Sequence, residues 1–302
     1  MLRRPIVGLA LGGGGARGLA HIGVLRVLEQ EKIPIHIITG SSAGALIGAM
    51  YCQCLDVDRV EKTTRKFISS DDYRRLRIQH AIRRKDGENF FSQVVTSLKE
   101  RLIINLAYSR MSLVKNRRLI QALKMLLQDG RIEDSPLALG IVASDLISSR
   151  DVVLTSGSMI RAVAASVSLP GFLPPVAVDE LLLVDGGITQ PLPVQAAADL
   201  GADVVIAVDV SFQSTLQRNF KNIFEIMNRT HHMTAECLNH LLADKAHILI
   251  RPAVGHFHWS AFDDIDAIIQ QGEAAARAAM PNIRKQLSRI RFITRTLFAK
   301  KH

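Results

Sequence analysis

The chain has 302 residues, 48% of them apolar, which is enough to bury a sizeable core and excludes a disordered polypeptide. Its three cysteines, Cys52, Cys54 and Cys237, are an odd number in a long chain and argue against a disulfide framework. The net charge of +10 is concentrated: residues 59–118 hold 16 Lys+Arg against 6 Asp+Glu, while elsewhere 22 residues of each sign cancel.

The basic start MLRRP leads into an apolar run, Ile6 to Leu11, that is too short for a signal peptide or a membrane span and is followed by glycines. No later stretch reaches about 18 uninterrupted apolar residues. The expectation is a cytoplasmic protein with room for peripheral contact at the inner membrane surface. Pro5 to Leu11 reads as a buried strand, and Gly12 to Gly18 then opens an apolar helix, Leu19 to about Gln30, with Leu19, Ile22, Leu25 and Leu28 on its buried stripe. Gly13, Gly15 and Gly18 satisfy G-x-G-x-x-G after a strand. A dinucleotide site would want an acidic residue about 20 positions on, at the end of the next strand. That strand ends in Thr39-Gly40-Ser41-Ser42 instead, so no cofactor is expected. The other use of such a loop is to aim bare backbone N–H groups at a negative oxygen.

A reactive group that would create one follows at once. Ile35 to Thr39 has strand character, Gly40-Ser41-Ser42-Ala43-Gly44 is a sharp G-x-S-x-G turn, and Ala45 to Met50 reads as a buried helix. Gly40 and Gly44, two residues either side, let strand and helix pass closely and pick Ser42 over Ser41 as the nucleophile. The bland alternative is an ordinary Gly/Ser turn. If the first two strands lie side by side, both loops emerge at one sheet edge. Gly13, Gly14, Gly15, Arg17 and Gly18 are then the oxyanion-hole candidates, with Gly14 and Gly15 the best donors. The Arg17 guanidinium is placed to anchor the loop or a phosphate.

From Asp58 to Gln128 the pattern is helical but irregular. Its most basic part, RRLRIQHAIRRK at 74–85, is flanked by Phe67, Phe90 and Phe91. It reads as a headgroup-binding or substrate-access element for an anionic membrane, or equally as a solvated surface; no nucleic-acid motif accompanies it, and nucleic acid is not an expected partner. Ser112 to Gln128 is an amphipathic helix. Cys52 and Cys54, two apart on a helix, face nearly opposite ways and cannot jointly grip a metal, so no metal site is expected. Strands follow at Leu137–Ala143, Val152–Thr155, Leu181–Val184, Asp203–Val208 and His247–Arg251, with a helix at Ser158–Val167 and a proline-set loop at Ser168–Val176. A long helix should follow Asp209, and two closing helices, Phe262–Met280 and Pro281 to about Arg295, should end the chain. With no repeats or linkers, residues 1–302 read as one domain.

A serine needs a proton acceptor. Asp145, Asp185 and Asp209 each end a strand. Asp185 is favoured because Gly186 and Gly187 form a tight turn that leaves its carboxylate uncovered; the ordinary role of each is a turn or helix cap. A triad with His256 or His258 competes and follows a hydrolase chain order. The Ser42–Asp185 dyad is preferred, provided that burial raises the basicity of the carboxylate.

The ordered segments GLALGGGGARGLAHIGVLRVLE, GSSAG, SLPGFLPPV and LVDGGITQPLPV resemble the patatin-like phospholipases, in particular the bacterial branch related to the catalytic domain of neuropathy target esterase. The resemblance runs from about Ile6 to Val210. It implies a three-layer α/β/α fold with a mainly parallel central sheet and a Ser-Asp dyad without cofactor or metal. It also implies hydrolysis of phospholipid or lysophospholipid acyl esters. Carried over by position, Ser42 is the nucleophile, Asp185 the base and Gly13 to Gly18 the oxyanion loop. The competing class is an idle, regulatory binder of lipid or protein.

Overall fold

The structure, a computed structural model, describes residues 5–75, 116–212, 219–220 and 223–299. Most of the basic run at 74–85, with Phe90 and Phe91, therefore lies outside the described residues. In chain order the strands are β1 (Val7–Leu11), β2 (Ile37–Ser41), β3 (Ala138–Asp145), β4 (Arg150–Leu154), β5 (Val176–Val178), β6 (Leu181–Asp185), β7 (Val204–Val208) and β8 (Ile248–Ile250). The helices are α1 (Ala20–Gln30), α2 (Ala43–Cys54), α3 (Val57–Ile68), α4 (Asp71–Arg75), α5 (Asn116–Leu126), α6 (Met159–Ser166), α7 (Val194–Asp199), α8 (Ile223–Ala243) and α9 (Ile265–Ala299).

Alternation along the strands builds two cores. In β1, Val7, Leu9 and Leu11 face one cluster and Ala10 the other; in β7, Val204, Ile206 and Val208 oppose Val205 and Ala207. The first face is covered by α1, α2, α3, α5, α6 and α9, and the second, lined with smaller residues, by α7 and α8. Both faces are buried, which is why these strands read as unbroken apolar runs. Helices on either side of one sheet make three layers, as expected. The sheet is mixed: β1–β2, β1–β7, β2–β3 and β7–β8 pair in parallel, and β3–β4, β3–β6 and β5–β6 antiparallel.

One junction in this sheet positions the site. β4 occupies one edge of β3 along Ile141–Asp145. On the opposite edge β2 pairs up to Ser41↔Val142, and β6, running the other way, pairs from Asp145↔Leu183 down to Ala143↔Asp185. The carboxyl ends of β2 and β6 therefore meet head-on along one edge of β3, between Val142 and Ala143.

Three sequence expectations shift. β2 begins and ends two residues later than predicted, taking Gly40 and Ser41 into the ladder. Val176, expected as the last residue of a loop, opens the strand Val176–Val178. The closing segment is one helix with Pro281 inside it, not two. A proline costs a helix interior about 3 kcal/mol. Ala276, Met280 and Ile283 stay buried on both sides of it, and continuing that face against α1 offsets the local loss.

Candidate active site

Ser42 sits between β2 and α2 with φ 52° and ψ −120°, a conformation that costs a non-glycine residue about 1–3 kcal/mol and persists only where its surroundings impose it. They do so by close approach. A Cβ at Gly40 would collide with the Ala45 backbone, and one at Gly44 with the Leu11 carbonyl, so only glycines allow the turn to be this tight. Ser41, its neighbour, is fully buried with a hydroxyl that has no hydrogen-bond partner among the described residues, whereas Ser42 turns its hydroxyl across the junction.

There it donates to Asp185 Oδ2 at 2.6 Å. The other oxygen, Oδ1, accepts the Gly187 N–H at 2.7 Å, and the Asp185 N–H is held by the Ser168 carbonyl at 3.0 Å. Gly186 packs against the Val142 carbonyl and the Ser41 hydroxyl, where a side chain would not fit. Burial pushes the Asp185 carboxyl up from 3.8 to about 6, against the opposing pull of its bonds from Ser42 and Gly187.

The other two strand-end aspartates have different surroundings. Asp145 is bonded by the Ser148 side chain and accepts the amides of Ser148, Leu182 and Ile147, and these bonds, the Ser148 side chain first, hold it down at about 2. Asp209 accepts from Arg251 Nε at 2.9 Å, Asn239 Nδ2 at 2.9 Å and the Ser211 amide at 3.0 Å. Both are structural carboxylates. The histidines of the competing triad are also elsewhere: His258 shares a hydrogen bond with Ser260 at 2.8 Å and His256 lies against Phe257, both exposed. Neither stands between Ser42 and Asp185, which touch directly.

β1 and β2 do lie side by side, so the glycine loop emerges beside the elbow, with Gly13 packed against the Ser42 side chain. Its peptide groups are pinned in turn. The Gly12 N–H donates to Val208 O and the Gly13 N–H to Pro191 O, while the Gly12 carbonyl accepts His21 Nε2 at 2.8 Å. Arg17 Nε donates to the Gly14 carbonyl at 3.2 Å, and the Ala16 N–H donates to Trp259 O at 2.7 Å. Among the described residues no acceptor takes the N–H of Gly14 or Gly15. Gly13 is thus corrected as a donor, because its amide is already spent on Pro191. Gly18 abuts Ala43 and lets the loop close on α2. Arg17 is buried with its guanidinium over the Phe212 ring at 5.6 Å; desolvation lowers its pKa to about 10, partly offset by Asp209, and it remains a cation that anchors the loop.

The sequence profile of the Patatin-like phospholipase family matches residues 9–198. The chain belongs to that family. It is 34% identical over 209 residues to patatin-like phospholipase domain-containing protein 6 of Homo sapiens, covering 68% of this chain and 13% of that protein. It is 34% identical over 204 residues to lysophospholipase nte1 of Aspergillus fumigatus, covering 68% of this chain and 12% of that protein. Thus the chain spans only a small part of the length of these relatives. Among solved structures, VipD from Legionella pneumophila aligns over 92% of this chain and 67% of its own, with a TM-score of 0.46 and 12% identity.

The stretch matched to the patatin-like family holds Ser42, Asp185 and the whole glycine loop, but two anchors of that loop, Val208 and Trp259, lie beyond it. Sequence reasoning missed the Trp259 anchor, as it missed His21 and Pro191. Trp259 and Pro191 act through their carbonyls, which any residue carries. His21 is fully buried and its pKa, driven down by burial to about 4 against the Gly12 bond, keeps it a neutral donor; a histidine inside an apolar helix stripe was the available signal.

Proposed function

We propose that the chain is a serine acyl hydrolase that cleaves carboxylic acyl esters of phospholipids or lysophospholipids through a Ser42–Asp185 dyad and an acyl-enzyme. The observation that supports it most is the direct 2.6 Å contact from the Ser42 hydroxyl to a buried carboxylate of raised proton affinity. Asp185 Oδ2 takes the hydroxyl proton as Ser42 Oγ bonds to the acyl carbon. The resulting oxyanion is held by the unengaged amides of Gly14 and Gly15; one such donor is worth about 10²–10³ in rate. As the intermediate collapses, Asp185 returns the proton to the departing alcohol. It then deprotonates a water, which attacks the acyl-enzyme, and as the bond to Ser42 Oγ breaks it passes that proton to Oγ, releasing the fatty acid and restoring the Ser42 hydroxyl.

Family membership and the lysophospholipase relatives support the substrate class. The exposed Arg59, Lys62, Lys66 and Arg74 belong to the basic stretch and suit an anionic membrane surface as the place where substrate is met. Trp259 anchors the loop from outside the matched stretch, which supports the described chain working as one domain. The test is labelling by a fluorophosphonate, followed by hydrolysis of a phospholipid and lysophospholipid panel by wild type, Ser42→Ala and Asp185→Asn. Adduct on Ser42 and hydrolysis lost in both variants are expected. A folded wild-type protein that takes no label would overturn the reading and favour an idle binder.

A further inference from the structure

Two serines, Ser166 and Ser168, stand close together at the carboxyl end of α6, both fully buried. A buried serine at a helix end ordinarily returns its hydroxyl to the carbonyl four residues back. Ser168 does so, donating to the Ala164 carbonyl at 2.6 Å. Ser166 does not. Its Oγ donates to the Val142 carbonyl at 2.6 Å and accepts the N–H of Ser42 at 2.9 Å.

We propose that Ser166 is a positioning residue for the nucleophile, clamping the strained backbone of Ser42 to β3 at the point where β2 and β6 meet. This rests on the hydrolase reading above. The physical argument concerns a peptide group left without its ordinary partner. At Ser42 the chain leaves β2 and turns through a positive φ, so its N–H can no longer continue the β2–β3 ladder. Val142, the residue paired with Ser41, has a carbonyl facing the same gap. One hydroxyl fits there because it can donate to the carbonyl and accept the amide at once. An alanine would strand both groups away from water, and a strained turn relaxes along whichever restraint is removed. The Ser42 amide is consequently not a donor to the reacting oxygen, which leaves that task to the glycine loop.

The clamp does not touch Asp185, so its removal should move the nucleophile and act on the base only through the Ser42 hydrogen bond. Ser166→Ala is measured with a soluble short-chain ester, and rates are expressed per active site titrated with a fluorophosphonate. The expected result is a fall in kcat of about 10- to 100-fold, the order that a misplacement of about 1 Å costs. KM should stay within about twofold, and any movement of the acid limb of the kcat profile should be upward, because a displaced Ser42 opposes the burial of Asp185 less. Loss of structure alone would lower the titrated fraction while leaving turnover per site intact. That outcome overturns the inference. If Ser166→Ala does not fold, Ser166→Cys carries the same test with a weaker hydrogen-bonding group and an expected drop of about 3- to 10-fold; wild-type turnover per site would again overturn it. Failure of the hydrolase reading is separable, because it appears as an unlabelled, inactive wild type before any variant is compared.

Discussion

Asp145 and Asp185 end adjacent antiparallel strands two residues apart in register, both almost wholly buried, yet their proton affinities move in opposite directions. Residue type, strand position and exposure are shared, so none of these makes a catalytic base. The difference lies in what fills the oxygens. At the end of β3 the turn folds back so that the amides of Ile147 and Ser148, with that of Leu182 from β6, close around the carboxylate. At the end of β6, Gly186 and Gly187 turn away more sharply and supply a single amide, leaving Oδ2 for the hydroxyl of Ser42. Burial with several donors makes a structural anion; burial with few makes a group that wants a proton.

Exchanging the carboxylates for amides tests this most severely. Asp185→Asn should lower hydrolysis by about 10⁴ or more, as loss of a proton acceptor that serves both half-reactions implies. Asp145→Asn should leave turnover per titrated site within a few-fold of wild type. Equal losses in the two variants would mean that the end of β3 is as much a part of the chemistry as the end of β6.

That contrast was only half legible in the sequence. Gly40, Gly44 and the Gly186-Gly187 pair report turn geometry directly, because only a missing side chain permits the approach seen at the elbow and beside Val142. The layered fold was legible in the apolar strands for the same kind of reason. The abutment of β2 and β6 on β3 was not, since it joins residues 143 positions apart through backbone pairings that no local pattern encodes. Nor could Asp145 be set aside from the sequence alone: the amides that occupy it belong to ordinary residues, Ile147 and Ser148 in the following turn and Leu182 on a distant strand. The continuation of α9 through Pro281 was hidden likewise, because α1, which compensates for the proline, lies at the other end of the chain.

The next largest effect asks whether proton affinity is all the site needs. Gly15 has φ 60°, and a Cβ there would strike the Trp259 carbonyl that also holds Ala16. Gly15→Ala must therefore move the loop off its anchor while leaving both aspartates as they are. A fall in kcat of about 10²–10³ is expected, comparable to losing one oxyanion donor, with the acid limb of the pH profile unmoved near the value set by Asp185. Unchanged turnover would remove the loop from the catalytic account.

Stability separates the carboxylates by sign. Asp185 has a folded pKa of about 6 against an ordinary value of 3.8, so the folded state holds the extra proton between those values. Its contribution is present below about pH 4 and is lost as pH rises towards 6, on the order of 3 kcal/mol for a shift of that size. Asp145, depressed to about 2, does the reverse: its contribution is present above about pH 4 and disappears as pH falls towards 2. Denaturant titrations should therefore show Asp185→Asn gaining on wild type between pH 4 and 7. Asp145→Asn should lose most at neutral pH and little near pH 2. A catalytic variant that is inactive yet more stable at pH 7 is the signature of a base kept at a cost to the fold. The opposite sign would show that the carboxylate is held as an anion after all.

The smallest effect concerns the third strand end. Asp209 is as buried as the other two, but it faces Arg251, whose side chain is 40% exposed, together with Asn239 and the Ser211 amide. Arg251→Gln removes the cation and leaves two donors in place. Solvent screening of a partly exposed guanidinium limits the loss to about 1–2 kcal/mol, between the values for surface and buried pairs. Turnover per site should be unaffected, because the remaining donors still fill the carboxylate and Ser42 is not among its partners. If the acid limb of the kcat profile instead shifted in Arg251→Gln, the charge at β7 would be acting on Asp185 across the sheet edge. The proton affinity of the base would then be set by the whole row of strand ends and not only by its own burial and the two hydrogen bonds that oppose it.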